Sequence, residues 1–227
     1  MNTLLLWKFF ALSFSALIPL VNPIGSALII VGFVGPVPIE FYRALARRIA
    51  INTLIFFAVI QLIGSAILNF FGISLPIVQV SGGLVIAAMG WSLLNKASDE
   101  STEKKQQISA TADDVSKSLA EKSFYPYTFP LTVGPGCMVV TLTLSAQAIQ
   151  PHIAGTLIAH AGIMTAALIL CALVWICYAN ASRITRAIPP TTAHGILRVI
   201  AFFLLCIGVQ IFWTGLTTLI NQLRVHP

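Results

Sequence analysis

Six stretches of this chain run for 20 to 27 residues without a single Asp, Glu, Lys or Arg: residues 9–35, 49–71, 75–94, 124–148, 153–179 and 199–221. A helix needs about 20 apolar residues to cross a hydrocarbon core of about 30 Å. In lipid, every backbone N–H and C=O must be satisfied within the segment or by its neighbours, so stretches of this kind fold as helices. The expected fold class is therefore all-α, a polytopic membrane protein with six transmembrane helices. Only 9% of the residues are charged, against about 25% in a soluble domain. No length is left for a separate soluble domain.

The net charge of +6 could suggest nucleic acid, but its placement argues for topology instead. Arg43, Arg47 and Arg48 lie between the first two apolar runs. Lys96, Lys104, Lys105, Lys117 and Lys122 lie between the third and fourth, and Arg183, Arg186 and Arg198 between the fifth and sixth. The intervening connections near 72–76 and 149–152 carry no Lys or Arg, and only Lys8 and Arg224 remain on that side. Basic loops stay cytoplasmic. The 97–122 linker is therefore expected to be cytoplasmic and both termini periplasmic or extracellular. Lys8 follows Leu4, Leu5 and Leu6, and no small-residue cleavage site precedes Pro19, so the N-terminus does not read as a cleaved signal. Re-entrant hairpins at the Pro-rich runs would leave four crossings. They would also put Arg183, Arg186 and Arg198 opposite the other basic loops, so six crossings are preferred.

The first run is long for one crossing: unbroken, it would measure about 40 Å. It also holds Pro19, Pro23 and Gly25, which predicts an interruption near its middle. Ile18-Pro-Leu-Val-Asn-Pro-Ile-Gly25 has a partner in the fourth run, Phe129-Pro-Leu-Thr-Val-Gly-Pro-Gly136. Each half has three crossings, an odd number, so a repeat enters the membrane from opposite sides. The expected organisation is an N-terminal three-helix repeat over 1–96, a polar linker over 97–122 and a C-terminal three-helix repeat over 123–227, with the first and fourth helices broken near the midplane. Gly83, Ala87 and Gly90 share one face of the third helix, and Ala201, Gly208 and Gly215 form a stripe on the sixth. Small stripes let helix backbones approach closely in lipid.

All seven acidic residues, Glu40, Asp99, Glu100, Glu103, Asp113, Asp114 and Glu121, are expected in loops between the apolar runs. A relay through buried carboxylates is therefore not expected. His152, His160, His194 and His226 are scattered, and no H-E-x-x-H occurs, so neither a metal, a cofactor nor a catalytic residue is expected. What remains inside the runs is uncharged polarity beside the breaks. Half-helix ends present partial positive and negative charge, and freed backbone groups need polar company. That combination suits a small zwitterion, with Asn22, Pro23, Gly25, Ser26, Thr132, Gly134, Pro135 and Gly136 as the expected binding residues and Thr141 as a further hydroxyl. His160 is the one ionisable side chain well inside a run and is the candidate for proton coupling, although a packing role is the ordinary one for such a residue.

These motifs resemble the MarC family, bacterial membrane proteins related to multiple-antibiotic-resistance loci. The resemblance runs along nearly the whole chain. It is carried by Leu20-Val-Asn-Pro-Ile-Gly25, Phe71-Gly-Ile-Ser74, Gly82-Gly83, Phe129-Pro-Leu-Thr-Val-Gly-Pro-Gly136 and the last helix from Arg198 to Gly215. Some members are described as small neutral amino acid transporters, so the resemblance implies a secondary transporter of a bacterial inner membrane, with both termini periplasmic, the 97–122 linker cytoplasmic and export favoured. The family tends to have Arg before the Gly-Gly of the third helix, where this chain has Gln79, and Ala201 stands where a Gly is expected. Gln79, Arg198 and Gln210 are secondary polar candidates.

The expected partners are the lipid bilayer, a small zwitterionic substrate, a coupling ion (H+ or Na+) and further copies of the chain in a homo-oligomer. Nucleic acid is not among them. Two other classes compete. One is an efflux or structural membrane protein of different substrate. The other is a transmembrane thiol oxidoreductase, which needs a cysteine in each half. Cys137, Cys171, Cys177 and Cys206 all lie in the second half.

Overall fold

The computed structural model describes residues 2–34, 37–95, 123–187 and 190–225; the polar linker, and with it most of the acidic residues, lies outside them. The elements are α1 (Asn2–Val21), α2 (Pro23–Val34), α3 (Ile39–Phe70), α4 (Leu75–Asn95), α5 (Ser123–Thr132), α6 (Pro135–Gln147), α7 (Ile153–Ala179), α8 (Ala181–Ala187) and α9 (Pro190–Val225). Five stretches are long and apolar enough to span a membrane: Asn2–Val31, Ile39–Gly64, Leu75–Asn95, Ile153–Ala179 and Arg198–Leu223. The pair α5–α6, bent by 67°, makes a sixth if it is one span.

Helix ends run past the apolar limits where the flanking sequence favours helix. α3 begins at Ile39 rather than near 49. Its first turns carry Glu40, Ala44, Leu45, Ala46, Arg47 and Arg48, mostly strong helix formers. Glu40, expected in a loop, sits in the first turn of α3, where the positive end of the helix favours a carboxylate. α9 likewise begins at Pro190, a residue whose missing N–H costs nothing at a first helical position.

α5 is wound more widely than an α-helix. Pro126 and Pro130 remove two backbone donors, and the residues before them, Tyr125 and Phe129, are extended (φ −119°, ψ 126° and φ −115°, ψ 127°), as a following proline favours. Hydroxyls fill in for the backbone. Thr128 Oγ1 donates to the Ser123 carbonyl and Thr132 Oγ1 to the Tyr127 carbonyl, both at 2.7 Å.

The outside of the bundle is apolar. Leu62, Phe70 and Ile153 are among the most exposed large side chains, and all four tryptophans (Trp7, Trp91, Trp175 and Trp213) face outward. The inside holds both apolar packing and hydroxyls, including Ser13, Thr53, Thr128 and Thr132. A surface richer in hydrocarbon than parts of its own core is what lipid as a solvent selects.

α4 and α9 form the most intimate pair. A methyl group at Gly83 would stand 2.7 Å from the Gly208 carbonyl oxygen, one at Gly90 would be 2.8 Å from that of Ala201, and one at Gly215 would be 2.7 Å from that of Pro76. Ascending residues of α4 meet descending residues of α9, so the two are antiparallel. α1 and α7 run parallel. Gly162 lies under α1, where a methyl would be 2.6 Å from the Leu6 carbonyl oxygen and 3.1 Å from the Phe10 nitrogen. In both pairs a missing side chain sets backbone approach.

Candidate functional site

The helical backbone is interrupted at Asn22, whose φ of 43° lies in the left-handed region that Asn tolerates better than most residues. Its side chain turns forward: Asn22 Oδ1 accepts the Gly25 N–H at 3.0 Å. Asn22 is thus the N-cap of α2, with Pro23 in first position and Gly25 in third. The cap amide lies directly over Gly25, and any Cβ there would overlap it. Gly25 is therefore fixed by the cap. The N–H of Gly25 no longer serves the helix, and the Ser26 hydroxyl compensates by donating to the Val21 carbonyl at 3.1 Å.

The second interruption has different chemistry. Gly134 is the N-cap of α6 with extended backbone (φ −88°, ψ −179°), followed by Pro135 in first position. No side chain caps this end. The Gly134 carbonyl accepts the Cys137 N–H at 3.0 Å, and the Val133 N–H donates to the Thr128 carbonyl at 2.8 Å.

The two interruptions meet. Leu20, just before the first, packs on Gly136, just after the second; a methyl on Gly136 would stand 2.9 Å from Leu20 Cδ2 and 2.8 Å from Ile86 Cγ1. In return Ser26, just after the first, reaches the carbonyl of Leu131, just before the second, at 3.5 Å. In the aligned motifs Leu20 matches Leu131 and Gly25 matches Gly136, so each contact is nearly the reciprocal of the other.

Tyr178, near the end of α7, completes the junction. Its hydroxyl shares a hydrogen bond of 2.9 Å with Thr132 Oγ1, and Ser26 is a second polar neighbour. Tyr178, Thr132, Ser26, Val21, Val133 and Cys137 are all buried. One phenol thus touches a hydroxyl from each break. Tyr178 escaped the sequence reading because it closes an apolar run and lies 46 residues from Thr132.

Other expected residues lie elsewhere. Thr141 Oγ1 donates to the Cys137 carbonyl one turn back at 2.7 Å, so its proton is committed within α6. Gln79 is buried between α4 and α6, with Nε2 3.4 Å from Thr143 Oγ1. Arg198 and Gln210 are exposed. His160 sits on α7 against α3 and is not solitary: Gln61 Nε2 lies 2.9 Å from its Nδ1.

An all-helical chain with five or six apolar spans, a lipid-facing exterior and buried hydroxyls at two helix breaks is a polytopic integral membrane protein. The chain belongs to the MarC family of integral membrane proteins, whose family model matches residues 7–220. Among curated relatives, it is 28% identical to the inner membrane protein MarC of Salmonella typhimurium, over 95% of this chain and 97% of the relative. The proteins of the same name from Citrobacter koseri and Escherichia coli are 26% and 24% identical, with the same coverage. No solved structure matches the chain.

Proposed function

We propose that the chain is an inner-membrane secondary transporter of small neutral amino acids, working chiefly in export, with its substrate site at the junction of the two breaks. The observation that carries this reading is the reciprocal contact of the breaks, Leu20 with Gly136 and Ser26 with Leu131. The N-terminal ends of α2 and α6 bring partial positive charge to one place, which suits a substrate carboxylate. The Val21 and Leu131 carbonyls lie beside them and suit an ammonium. The side chains that meet there are uncharged, which favours a substrate with no net charge. The relatives are named as inner membrane proteins, and the same location is proposed here.

The packing supports an inverted repeat in which α1–α2 corresponds to α5–α6, α3 to α7 and α4 to α9. Mates pack on mates: α4 on α9 and α3 on α7. The packing of α1 and α2 on α7 has its counterpart in α5 and α6 on α3, and that of α4 on α6 has its counterpart in α2 on α9. On this reading both termini are periplasmic and the 97–122 linker is cytoplasmic. Reporter fusions at residue 110 and at the C-terminus are expected on opposite sides; the same side for both would refute the inverted arrangement.

The function itself is tested with purified protein in liposomes. Counterflow of labelled alanine, glycine and serine is expected, with none for lysine or glutamate. Counterflow absent for every neutral amino acid, or present only for bulky apolar drugs, would overturn the reading in favour of a structural or efflux role.

A further inference from the structure

We propose that His160 and Gln61 form a proton-binding site whose occupancy unlocks α3 from α7 at the end of the bundle bearing the 71–74 and 148–152 turns. Gln61 is 4% exposed. Its Nε2 lies 2.9 Å from His160 Nδ1 and 2.8 Å from the His160 carbonyl oxygen. A carbonyl oxygen only accepts, so the amide must present its nitrogen there, and its second hydrogen faces Nδ1. Nδ1 therefore accepts, and the imidazole is neutral with its hydrogen on Nε2. Both amide hydrogens are used, while Gln61 Oε1 is buried with no partner among the described residues. The backbone carbonyl of Gln61 also accepts Ser145 Oγ from α6 at 3.0 Å. One residue thus ties α3 to both α6 and α7.

A proton added to Nδ1 sets an N–H against the amide N–H. The contact is restored if the amide turns over, so that the idle Oε1 accepts from Nδ1–H. That rotation takes Nε2 off both the His160 carbonyl and Nδ1, so protonation replaces two bonds from Gln61 to α7 with one, from the imidazolium, and the tie to the α7 backbone is lost. No carboxylate among the described residues stands ready to hold the charge. On α3, Glu40, Tyr42, Arg43, Arg47 and Arg48 lie more than three turns before Gln61. α6 carries Cys137, two turns before Ser145, and α2 carries no titratable group. At the start of α7 its N-cap His152 is exposed, two turns earlier, and on α7 itself Cys171, Cys177 and Tyr178 come three turns or more later. Lys8 of α1 is exposed, and Arg183 of α8 is at the other end of α7. The orphaned Oε1 is thus the acceptor placed for this proton.

The use of this latch in transport rests on the function proposed above, but the latch is tested without substrate. Hydrogen exchange of residues 142–156, corrected for intrinsic rates, is measured in lipid nanodiscs from about pH 8 to about pH 5, bracketing the ordinary imidazole value of about 6.5. Protection in the native chain is expected to fall roughly tenfold on acidification. His160→Asn places a non-titrating acceptor near the Nδ1 position and is expected to stay protected throughout. Gln61→Leu is expected to be unprotected throughout. A native chain with no pH response, or a His160→Asn variant with the native response, overturns the proposal. The expected exchange pattern alongside absent flux would instead remove the transport reading and leave the latch standing.

Discussion

Gly134→Leu is expected to reduce amino acid flux by more than about tenfold while the protein still inserts and folds; a tenfold loss corresponds to about 1.4 kcal/mol in a barrier. The backbone at Gly134 is ordinary extended chain that any residue adopts. A methyl there would stand 3.3 Å from the Pro130 carbonyl oxygen and 3.9 Å from Met89 Cε. Alanine therefore needs an adjustment of a few tenths of an ångström and serves as the control, with flux retained. Leucine adds three further carbons at the point where the N-terminal end of α6 faces the carbonyls of α5. It fills the space between the half-helices and covers the donors assigned to the substrate carboxylate. Thermal unfolding in detergent, read beside the flux, separates this effect from misfolding: the melting temperature of Gly134→Leu is expected to stay close to that of Gly134→Ala.

Gly208→Val is expected to act through stability instead, costing about 3 kcal/mol or more, at or beyond the upper end of ordinary overpacking. A Cβ at Gly208 would stand 2.8 Å from the Ala87 Cα and from the Gly83 carbonyl oxygen. These are backbone atoms, which no rotamer change can move aside. α4 and α9 would have to separate along the whole stripe, losing the contacts at Gly83, Gly90 and Gly215 together. Gly195→Ala, in the same helix, is the control. No described atom lies within 4 Å of a methyl built there, and alanine is the better helix former. Size-exclusion chromatography after a heat step should show loss of the monodisperse species for Gly208→Val at a markedly lower temperature, and no loss for Gly195→Ala.

What could be read from the chain alone was what is local. The α7 limits, 153–179, follow from an uninterrupted apolar run and coincide with the helix. The small stripes were legible because helical periodicity puts them on one face, and in the fold Gly83 and Gly90 meet Gly208 and Ala201. The cap at Asn22 was also there to be read: an Asn before a Pro with a Gly third in the helix is an N-terminal signature. As an expected binding residue Asn22 offered both donors and an acceptor, but in the fold its oxygen already accepts the Gly25 N–H. Tyr178 and Gln61 were beyond reach for another reason. Their partners Thr132 and His160 lie on other spans, and only the packing of α7 against α3, α5 and α2 brings them together. Nothing within one helix's own pattern distinguishes an interior phenol or amide that bridges spans from one that merely fills space.

The central claim is that both breaks border one substrate site. Single cysteines at positions 26 and 132, one in each break, in a chain whose four native cysteines are replaced by serine or alanine, test it most directly. The rate of thiol modification is measured in membranes with and without saturating alanine, using glutamate as the control. The account predicts that alanine slows modification at both positions, over the same concentration range, and that glutamate slows neither. Protection at only one position, or equal rates with and without alanine at both, would contradict it.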